Sequence, residues 1–502
     1  MSSRNATTGA YQRLEKRFAR MGALQEAAGM LHWDMAAVMP EGGHESRAEQ
    51  LAVINVIAHE MLTASETDDL LAQADEAELD DWQSANLHEM RRIHTHATAL
   101  SPDLVEASTK ARAACEKTWR EARPKGDFKL VAPKLKAVLD LTREAAAAKA
   151  DKLGLSPYDA LMDEFEPGAR AVDITPIFDA YAAFLPGFLG EVLEHQARRP
   201  AVIEPQGPFS IESQKKLGEK LMATIGFDFA HGRLDTSLHP FCGGTPDDVR
   251  ITTRYNEAQF ADAMMGVVHE TGHAMYERGL PAAWRRQPVG NARGMALHES
   301  QSLIVEMQAA RSTAFCRFLS PLLNATYPGN EAAFTPENLA RFYTRVEPGF
   351  IRVSADEVTY PAHVILRYRL EQALVAGDLS LDDLPAAWNA GMKELLGLTV
   401  ENDREGCLQD IHWFDGAFGY FPCYSLGAMT AAQFFAAAVA AVPGIPAALE
   451  RGDFGPLMGW LRTNVHERAS SLSSPDIVRA ATGKPLDAGV FRRHLEQRYL
   501  DR

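Results

Sequence analysis

The sequence predicts a mainly α-helical protein, and two observations support this prediction. Up to about residue 230, apolar residues almost never alternate with polar ones in the two-residue period of a strand. The stretches 111–122 and 135–153 are rich in alanine, the strongest helix former. A length of 502 residues would allow about three domains. Because no Ser/Gly/Pro-rich linker or repeat divides the chain, we predict a single domain over residues 1–502.

The helices of the N-terminal half are predicted from apolar periodicity and from the residues that interrupt it. The first spans residues 11–31 and is followed by a Gly/Pro-containing break at 39–43. A second helix covers 47–62 and a charged helix covers 72–100. The apolar positions of the second helix are Leu51, Ile54, Val56 and Ile57. Prolines mark the boundaries that follow, at Pro102, Pro124, Pro133, Pro157 and Pro167.

The pattern changes after residue 238. In 248–253, Val249 and Ile251 alternate with polar residues, which is the period of a half-exposed strand. One short strand needs partners, so we predict a small antiparallel β-sheet beside the next helix. The polar face of the strand carries Arg250, which is either solvated or positioned for a substrate.

The next helix contains the sequence His-Glu-Thr-Gly-His at 269–273. Residues four apart share a helix face, so His269 and His273 can bind one metal ion. Glu270 lies beside that face, where it can accept a proton from a metal-bound water. The alternative is a core helix whose histidines bond to backbone carbonyls.

The limits of this helix are predicted from capping residues. Asn256 and Gln259 have the spacing of an N-cap and its reciprocal partner. Gly279 is a typical helix stop. Gly266 and Gly272 lie inside the helix, where each costs about 1 kcal/mol relative to alanine. We therefore expect another element to pack very close to both.

A catalytic zinc site needs a third protein ligand, and Glu299 in His-Glu-Ser-Gln is the best candidate. It lies in a predicted helix over 295–318. Glu306 is either a hydrogen-bond partner for a ligating histidine or an ordinary ion-pair residue. The pairs that begin at His44 and His59 have no second histidine at ligand spacing, so we predict that they are surface residues.

The net charge of −16 argues against a nucleic-acid partner and against anionic membranes. The first 14 residues have no apolar core, so no signal peptide is expected. The apolar stretch 434–442 is too short to span a bilayer. The five cysteines show no C-x-x-C spacing. These features fit free thiols and a cytoplasmic location.

Two later stretches are dense in functional residue types. The first, 351–356, contains Arg352. The second, 406–422, places His412 and Tyr420 on a Gly/Pro-interrupted segment, which is typical of site-forming loops. By residue pattern alone, a packed aromatic turn with a satisfied histidine is slightly favoured for the second stretch.

Together these motifs resemble the carboxypeptidase Taq family of metallocarboxypeptidases. The family combines H-P-F, D-x-R-x-T, H-E-x-x-H, H-E-S-Q, I-R-x-x-A-D and G-x-x-Q-D-x-H-W. All six occur here in family order, at 239–241, 248–252, 269–273, 298–301, 351–356 and 406–413. One departure is Cys423, where the family pattern has Thr.

The resemblance implies a saddle-like helical fold with a deep groove, related to angiotensin-converting enzyme and neurolysin, with two helical lobes as a possible division. It implies a cytoplasmic homodimer that trims peptides from the C-terminus with broad specificity. Zinc is the usual metal, and cobalt is used by or activates some members.

The resemblance also implies roles for individual residues. Glu299 completes the zinc ligand set with the two histidines, and Glu270 is the general base. His412 and Tyr420 donate hydrogen bonds to the tetrahedral oxyanion. The substrate's terminal carboxylate needs an arginine, for which Arg352 is the first choice.

Asp356, four residues after Arg352, would orient the guanidinium if this segment is helical. Arg250 is the second choice for the carboxylate, and His239 lines the same pocket. Two other functions stay open: an oligopeptidase or dipeptidyl-peptidase on the same scaffold, and a non-catalytic peptide-binding protein with a structural zinc. An intact Glu270 argues against the last, because a structural site needs no base.

Overall fold

Helices make up 68% of the protein in the computed structural model, which describes residues 2–75 and 79–502. The mainly α prediction is therefore confirmed. The N-terminal helices share a small hydrophobic core built around Tyr11, Leu14 and Leu87. These helices are α1 (Ser2–Ala37), α2 (His44–Thr63), α3 (Ser65–Gln73) and α4 (Asp81–Thr98).

Three details of the N-terminal predictions are wrong. Among the residues that the structure describes, the charged helix predicted over 72–100 is found only at Asp81–Thr98, after α3 ends at Gln73. Helix α1 continues six residues beyond the predicted end at residue 31, as far as Ala37. In α2, only Leu51 and Leu62 are buried, whereas Val56 and Ile57 are 54% and 38% exposed. The pairs that begin at His44 and His59 are exposed, as predicted.

Prolines of the middle region lie at helix starts and also inside helices. Pro102 and Pro157 occupy the first helical position, where no intrahelical N–H bond is lost. Pro124 lies one residue before the end of α5 and so marks a boundary, as predicted, whereas Pro133 lies in the second turn of α6 and does not. The helices are α5 (Pro102–Lys125), α6 (Phe128–Leu153), α7 (Pro157–Phe165), α8 (Ala171–Ala197) and α9 (Ile211–Ile225).

The predicted helix over 295–318 is three elements. They are α11 (Met295–Leu303), a π-helix (Ile304–Ala310) and α12 (Thr313–Thr326). The break comes at Ser312, whose hydroxyl accepts the N–H of Phe315 and so starts a new helix. Pro321 lies inside α12 and does not end it.

The C-terminal half is also helical, and its helices contribute to the two largest hydrophobic cores, one of which they share with α5, α6, α7 and α8. Helix α16 (Pro422–Ala441) contributes Met429 to one core and Phe434 to the other, so it is buried on both sides. Helices α8 and α16 are long and apolar enough to cross a membrane by length and composition alone, although 61% of the α16 window is buried. The helices are α10 (Ala261–Gly279), α13 (Pro336–Tyr343), α14 (Tyr360–Ala376), α15 (Leu384–Leu396), α16 (Pro422–Ala441), α17 (Ile445–Leu449), α18 (Gly455–Asn464), α19 (Ser474–Thr482) and α20 (Ala488–Leu500).

A three-stranded sheet lies beside α10, as predicted, but it is mixed and not antiparallel. Its strands are β1 (Gly232–Thr236), β2 (Phe241–Thr245) and β3 (Asp248–Thr253), in the order β1-β3-β2. β2 and β3 form an antiparallel hairpin. β1 lies on the opposite edge of β3 from β2 and runs parallel to β3. Val249 and Ile251 share a core with Val267 and Ala274 of α10.

Candidate metal centre and substrate cavity

Helix α10 carries the first two candidate metal ligands. It begins at Ala261, five residues after the predicted N-cap Asn256. The N-cap is Phe260, which makes no side-chain cap bond, and the side-chain oxygen of the preceding Gln259 accepts the N–H of Asp262 at 3.1 Å. The helix ends at Gly279, as predicted.

Glycines allow three helices to approach each other at the site. A Cβ on Gly272 of α10 would lie 2.5 Å from the carbonyl oxygen of Gln301, so α11 passes directly over this point. A Cβ on Gly427 of α16 would lie 2.9 Å from Glu299. The predicted close neighbour is therefore confirmed at Gly272. A Cβ on Gly266 would lie 4.0 Å from its nearest neighbour, the hydroxyl oxygen of Thr253, so the prediction of a close neighbour is wrong there.

This packing brings His269, His273 and Glu299 together. The Nε2 atoms of the two histidines lie 3.9 and 3.5 Å from Oε2 of Glu299, for His269 and His273 respectively. One ligand atom from each residue lies within 4.8 Å of the others, so the group can hold a metal ion. Two imidazoles and a carboxylate are a set that binds zinc and leaves a position open.

The Nδ1 atom of His269 is held by a carboxylate, which leaves Nε2 free to bind a metal. It lies 2.9 Å from Oε2 of Glu306. The other carboxylate oxygen of Glu306 accepts from Arg311 at 2.5 Å. Burial opposes ionisation, but the charge of Arg311 and the bond to His269 lower the pKa of Glu306. Both roles considered for Glu306 are thus present, on the π-helix.

The Nδ1 atom of His273 is held by another histidine. It lies 2.7 Å from Nδ1 of His298, whose Nε2 lies 2.8 Å from a carboxylate oxygen of Glu277. Sequence analysis did not assign His298 or Glu277 to the site. Their positions carry a signal, because His298 precedes Glu299 and Glu277 follows His273 by four residues on the same helix face.

Glu270 faces a cavity of about 470 Å³ that His269 and Glu299 also line. The Glu270 side chain is almost fully buried. Burial, only partly offset by the nearby His269, raises the pKa of Glu270 to about 7. A carboxyl group with a pKa near neutrality can take up and release a proton at physiological pH.

Arg352 lies on the wall of the same cavity. Its Nε and Nη2 donate to one oxygen of Asp410, at 3.1 and 2.8 Å. Its Nη1 donates to the hydroxyl of Tyr360, and the guanidinium lies 4.6 Å from the Tyr424 ring centre. The predicted partner, Asp356, instead accepts backbone N–H groups of its own turn. The segment makes only one 3₁₀ turn, so residues four apart do not face each other.

Asp410 has a second cationic partner that sequence analysis missed. Arg367, which is fully buried, donates its Nε to the other oxygen of Asp410 at 2.6 Å and lies 4.4 Å from the Trp388 ring centre. Burial lowers the pKa of Arg367 to about 10, so it stays charged near pH 7. The charges of Arg367 and Arg352 lower the pKa of Asp410 despite its burial. Two guanidinium groups therefore share one carboxylate, and the cluster has a net positive charge.

His412 and Tyr420 lie together, with Tyr424 between them and the cavity. Nε2 of His412 is 3.2 Å from the Tyr424 hydroxyl, and the rings of Tyr420 and Tyr424 meet edge to face at 5.2 Å. Burial lowers the pKa of His412 to about 4, so its ring is neutral near pH 7. Tyr424, which was not among the predicted site residues, is the member of this group that lines the cavity.

Arg250 and His239 lie elsewhere. Arg250 pairs with Asp248 at 2.6 Å and stacks 4.5 Å from the ring centre of Trp33. It is on the face of β3 opposite to the one that packs on α10, because successive residues of a strand alternate. His239 is exposed, whereas its neighbour Pro240 lines the cavity. Their substrate roles stay predictions.

Comparison with known proteins identifies the family. The family model described as carboxypeptidase Taq (M32) metallopeptidase matches residues 13–499. The chain belongs to the carboxypeptidase Taq (M32) metallopeptidase family. This confirms the resemblance seen in the motifs. Enzymes of this family are peptide hydrolases that use a metal, and the chain is a metallocarboxypeptidase by family.

Individual M32 proteins match along almost their whole length. Thermostable carboxypeptidase 1 of Thermus thermophilus is 35% identical over 505 residues, which is 98% of each chain. Carboxypeptidase 1 of Bacillus subtilis is 33% identical and covers 96% of each chain. Metallocarboxypeptidase 1 of Trypanosoma cruzi superposes with a TM-score of 0.96 at 40% identity, over 98% of this chain and 99% of its own.

Proposed function

We propose that this M32 protein is a zinc-dependent carboxypeptidase that releases C-terminal residues from peptides with broad specificity. The observation that carries the proposal is a shared cavity. Glu299 and Glu270 lie on its wall together with Arg352, whose cluster has an unbalanced positive charge. A cleavage centre and a cationic group in one cavity suit a substrate whose scissile bond is close to a terminal carboxylate.

His269, His273 and Glu299 would hold the zinc ion, with cobalt as the alternative metal. The donor set supports this assignment, because both histidines offer Nε2 while their Nδ1 atoms are held by Glu306 and His298. When bound, the metal supplies a water molecule whose pKa is lowered towards neutrality.

Glu270 is the general base of the proposed reaction. Its carboxylate takes the proton of the attacking water and later gives it to the leaving amine. His412 and Tyr420 are the proposed hydrogen-bond donors to the oxyanion. The position of Tyr424 on the cavity wall, bonded to His412, adds its hydroxyl to this group.

Arg352 is the proposed reader of the substrate carboxylate. Asp410 and Tyr360 hold the guanidinium in one orientation, so little side-chain entropy is lost when a carboxylate binds. Arg367 supplies the second positive charge that Asp410 alone does not neutralise. An anionic ligand would therefore balance the charge of this buried cluster.

The proposal also includes a cytoplasmic homodimer. All five cysteines are free, which suits a reducing compartment. Helix α2 exposes Val53, Val56 and Ile57 on one side, and an exposed apolar face of this kind is typical of a contact surface. The molar mass in solution, measured by light scattering for the parent and for Val56→Lys, tests this point.

Metal analysis paired with peptide digestion tests the function as a whole. The expected result is one bound metal per chain and stepwise release of single residues from an N-blocked free-acid peptide, with the C-amidated peptide cut far more slowly. Internal fragments or dipeptide products would favour an oligopeptidase or dipeptidyl-peptidase on this scaffold. Bound metal without any cleavage would favour a peptide-binding protein.

A further inference from the structure

The C-terminal helix α20 directs three polar side chains at one buried carboxylate. His494 and Arg498 are four apart and share a helix face, and Tyr499, the next residue, reaches the same carboxylate from beside it. Nε2 of His494 is 2.8 Å from one oxygen of Glu357. Nη1 of Arg498 and the hydroxyl of Tyr499 are 2.9 and 3.0 Å from the other. Glu357 is only 4% exposed, so this cluster belongs to the interior.

Glu357 also joins two segments of the cavity wall. Its first oxygen accepts from Nε2 of Gln308 at 3.1 Å, and both residues line the cavity. Gln308 belongs to the π-helix that carries Glu306, the partner of His269. Glu357 follows Arg352 by five residues. The contact therefore links the wall that supports the metal ligands to the wall that carries Arg352.

Arg498 contacts both walls with a single guanidinium. In addition to Glu357, it donates Nη1 to the carbonyl of Met307 at 2.5 Å and Nη2 to that of Gln308 at 3.2 Å. These carbonyls lie in the π-helix just before its end, where backbone acceptors lack intrahelical partners. Only an arginine has enough donors in a fixed plane to hold a carboxylate and two carbonyls together.

We propose that Arg498 is a positioning residue that fixes the separation between the metal ligands and Arg352. Through this separation it sets how many residues are released in each cleavage. The proposal rests on the proposed function, in which Arg352 holds the terminal carboxylate. Each further residue between carboxylate and scissile bond needs about 3.5 Å of extended chain. If the two walls move by less than this length of one residue, the number of residues released stays the same, but the scissile carbonyl is displaced from the metal site.

The test compares substitutions at two arginines of the same helix. Arg498→Met removes the donors, and Arg498→Lys retains the charge but not the planar set of bonds. Arg493→Met is the matched control, because Arg493 is 59% exposed and its nearest carboxylate, on Asp487, is 3.8 Å away. Each purified metal-loaded enzyme is assayed for unfolding temperature, metal retention against a chelator, kcat and KM on a blocked free-acid peptide, and product lengths by mass spectrometry.

Arg498→Met is expected to lower kcat/KM on the order of 100-fold, because small misplacements far from the reaction have effects of this size. Metal retention should weaken roughly tenfold, since Glu306 loses its fixed support. Dipeptide products should rise relative to single residues. Arg498→Lys should recover part of each loss, and Arg493→Met should stay within about twofold of the parent.

An Arg498→Met enzyme that melts like the parent and keeps its metal retention, kcat/KM and single-residue products would overturn the proposal. If Arg498→Met does not fold, Tyr499→Phe decides, because it removes only one hydrogen bond to Glu357. Parent-like values for Tyr499→Phe in all three assays would then overturn it. A different experiment detects failure of the proposed function: Arg352→Met would then prefer free-acid over C-amidated peptides as strongly as the parent does. In that case metal retention still decides the role of Arg498.

Discussion

The Nδ1 atoms of His273 and His298 lie 2.7 Å apart, so one ring donates its proton to the other. Nε2 of His298 is 2.8 Å from Glu277, and the carboxylate accepts that N–H. In a neutral His298, Nδ1 then has only a lone pair, which accepts the N–H of His273. His273 is thereby left with an unprotonated Nε2 directed at Glu299. The hydrogen-bond network thus fixes the tautomer that metal binding requires.

Removal of the third ligand tests the metal site. Glu299→Ala should retain less than a tenth of the metal of the parent under chelator challenge, because two imidazoles alone bind a divalent ion weakly. Metal content is measured by mass spectrometry after dialysis. Glu60→Ala is the control, since Glu60 belongs to a His-Glu pair that is exposed on α2. Full occupancy in Glu299→Ala would remove this residue from the ligand set.

The general base is tested by an isosteric change. Glu270→Gln keeps the shape of the side chain but cannot accept the water proton. We expect unchanged metal content and an unfolding temperature at least equal to that of the parent, with kcat reduced by at least ~100-fold. Steady-state kinetics on metal-replete enzyme provide the measurement. Near-normal turnover would assign the proton transfer to another group.

The two histidines and Glu270 are brought together locally, whereas Glu299 reaches them only through the packing of α11 on α10. His269 and His273 share a face of one helix, and the H-E-x-x-H spacing alone places them. Asp410 is different, because it pairs with Arg352 across 58 residues and with Arg367 across 43. No local period relates these positions. A partner four residues away was therefore predicted for Arg352, and the structure provides a distant one.

The same reasoning explains the misplaced helix limits. Apolar periodicity continues through 295–318, but the backbone widens into a π-helix at Ile304–Ala310 and restarts at Ser312. The widening is stabilised by tertiary contacts, such as those from Arg498 to its carbonyls. Such contacts have no trace in the local pattern. The direction of β1 in the sheet is a similar case. The local sequence predicts that a strand forms, but whether β1 pairs parallel or antiparallel with β3 depends on the path of the chain between them.

Substitutions at Tyr424 and Tyr420 test which of the two hydroxyl groups is the principal hydrogen-bond donor to the oxyanion. Tyr424→Phe removes the hydroxyl that lines the cavity and bonds to His412. We expect it to lower kcat by roughly 100-fold, the scale of one lost oxyanion donor. Tyr420→Phe should have a smaller effect, because Tyr420 packs behind Tyr424, which is the tyrosine of this pair that lines the cavity. The reverse order of the two effects would restore Tyr420 as the principal donor.

Glu371 makes the free energy of unfolding depend on pH, and it lies against the segment 406–422 through its contact with Trp413. It is fully buried and accepts hydrogen bonds from Trp413 Nε1 at 3.1 Å and from the Tyr158 hydroxyl. Burial raises the pKa of Glu371 to about 7, against about 4.5 in the unfolded chain. Between these values only the folded state keeps the proton. This contribution is therefore fully present at low pH and is lost as pH rises towards 7, by up to about 1.4 kcal/mol per pH unit.

Glu371→Gln tests this linkage, because glutamine does not titrate. The free energy of unfolding is measured with denaturant at several pH values from 5 to 7, for metal-free parent and variant. The parent should lose stability relative to Glu371→Gln as pH rises across this range. Glu394→Gln, an exposed substitution, should follow the parent. Identical pH slopes for the parent and Glu371→Gln would contradict the raised pKa.

The last prediction concerns Arg352 and the origin of exopeptidase specificity. Arg352→Met removes the cationic group from the cavity wall, while Asp410 keeps its bond to Arg367. The variant therefore has one buried positive and one buried negative charge, and it should fold. Its preference for free-acid over C-amidated peptides should shrink by about 2 to 4 kcal/mol, the scale of a lost charged contact. The ratio of kcat/KM for a matched pair of peptides measures this preference.

Arg250→Met is the informative control for this experiment, because Arg250 is the other arginine considered for the carboxylate. It pairs with Asp248 and covers Trp33 on the outer face of β3, so its loss should leave the free-acid preference unchanged. If Arg352 binds the carboxylate, only Arg352→Met loses the free-acid preference; if Arg250 binds it, only Arg250→Met does. If Arg352→Met folds and still prefers free acids as strongly as the parent, its ion pair with Asp410 is structural. A loss of preference in Arg250→Met would then assign carboxylate binding to the strand.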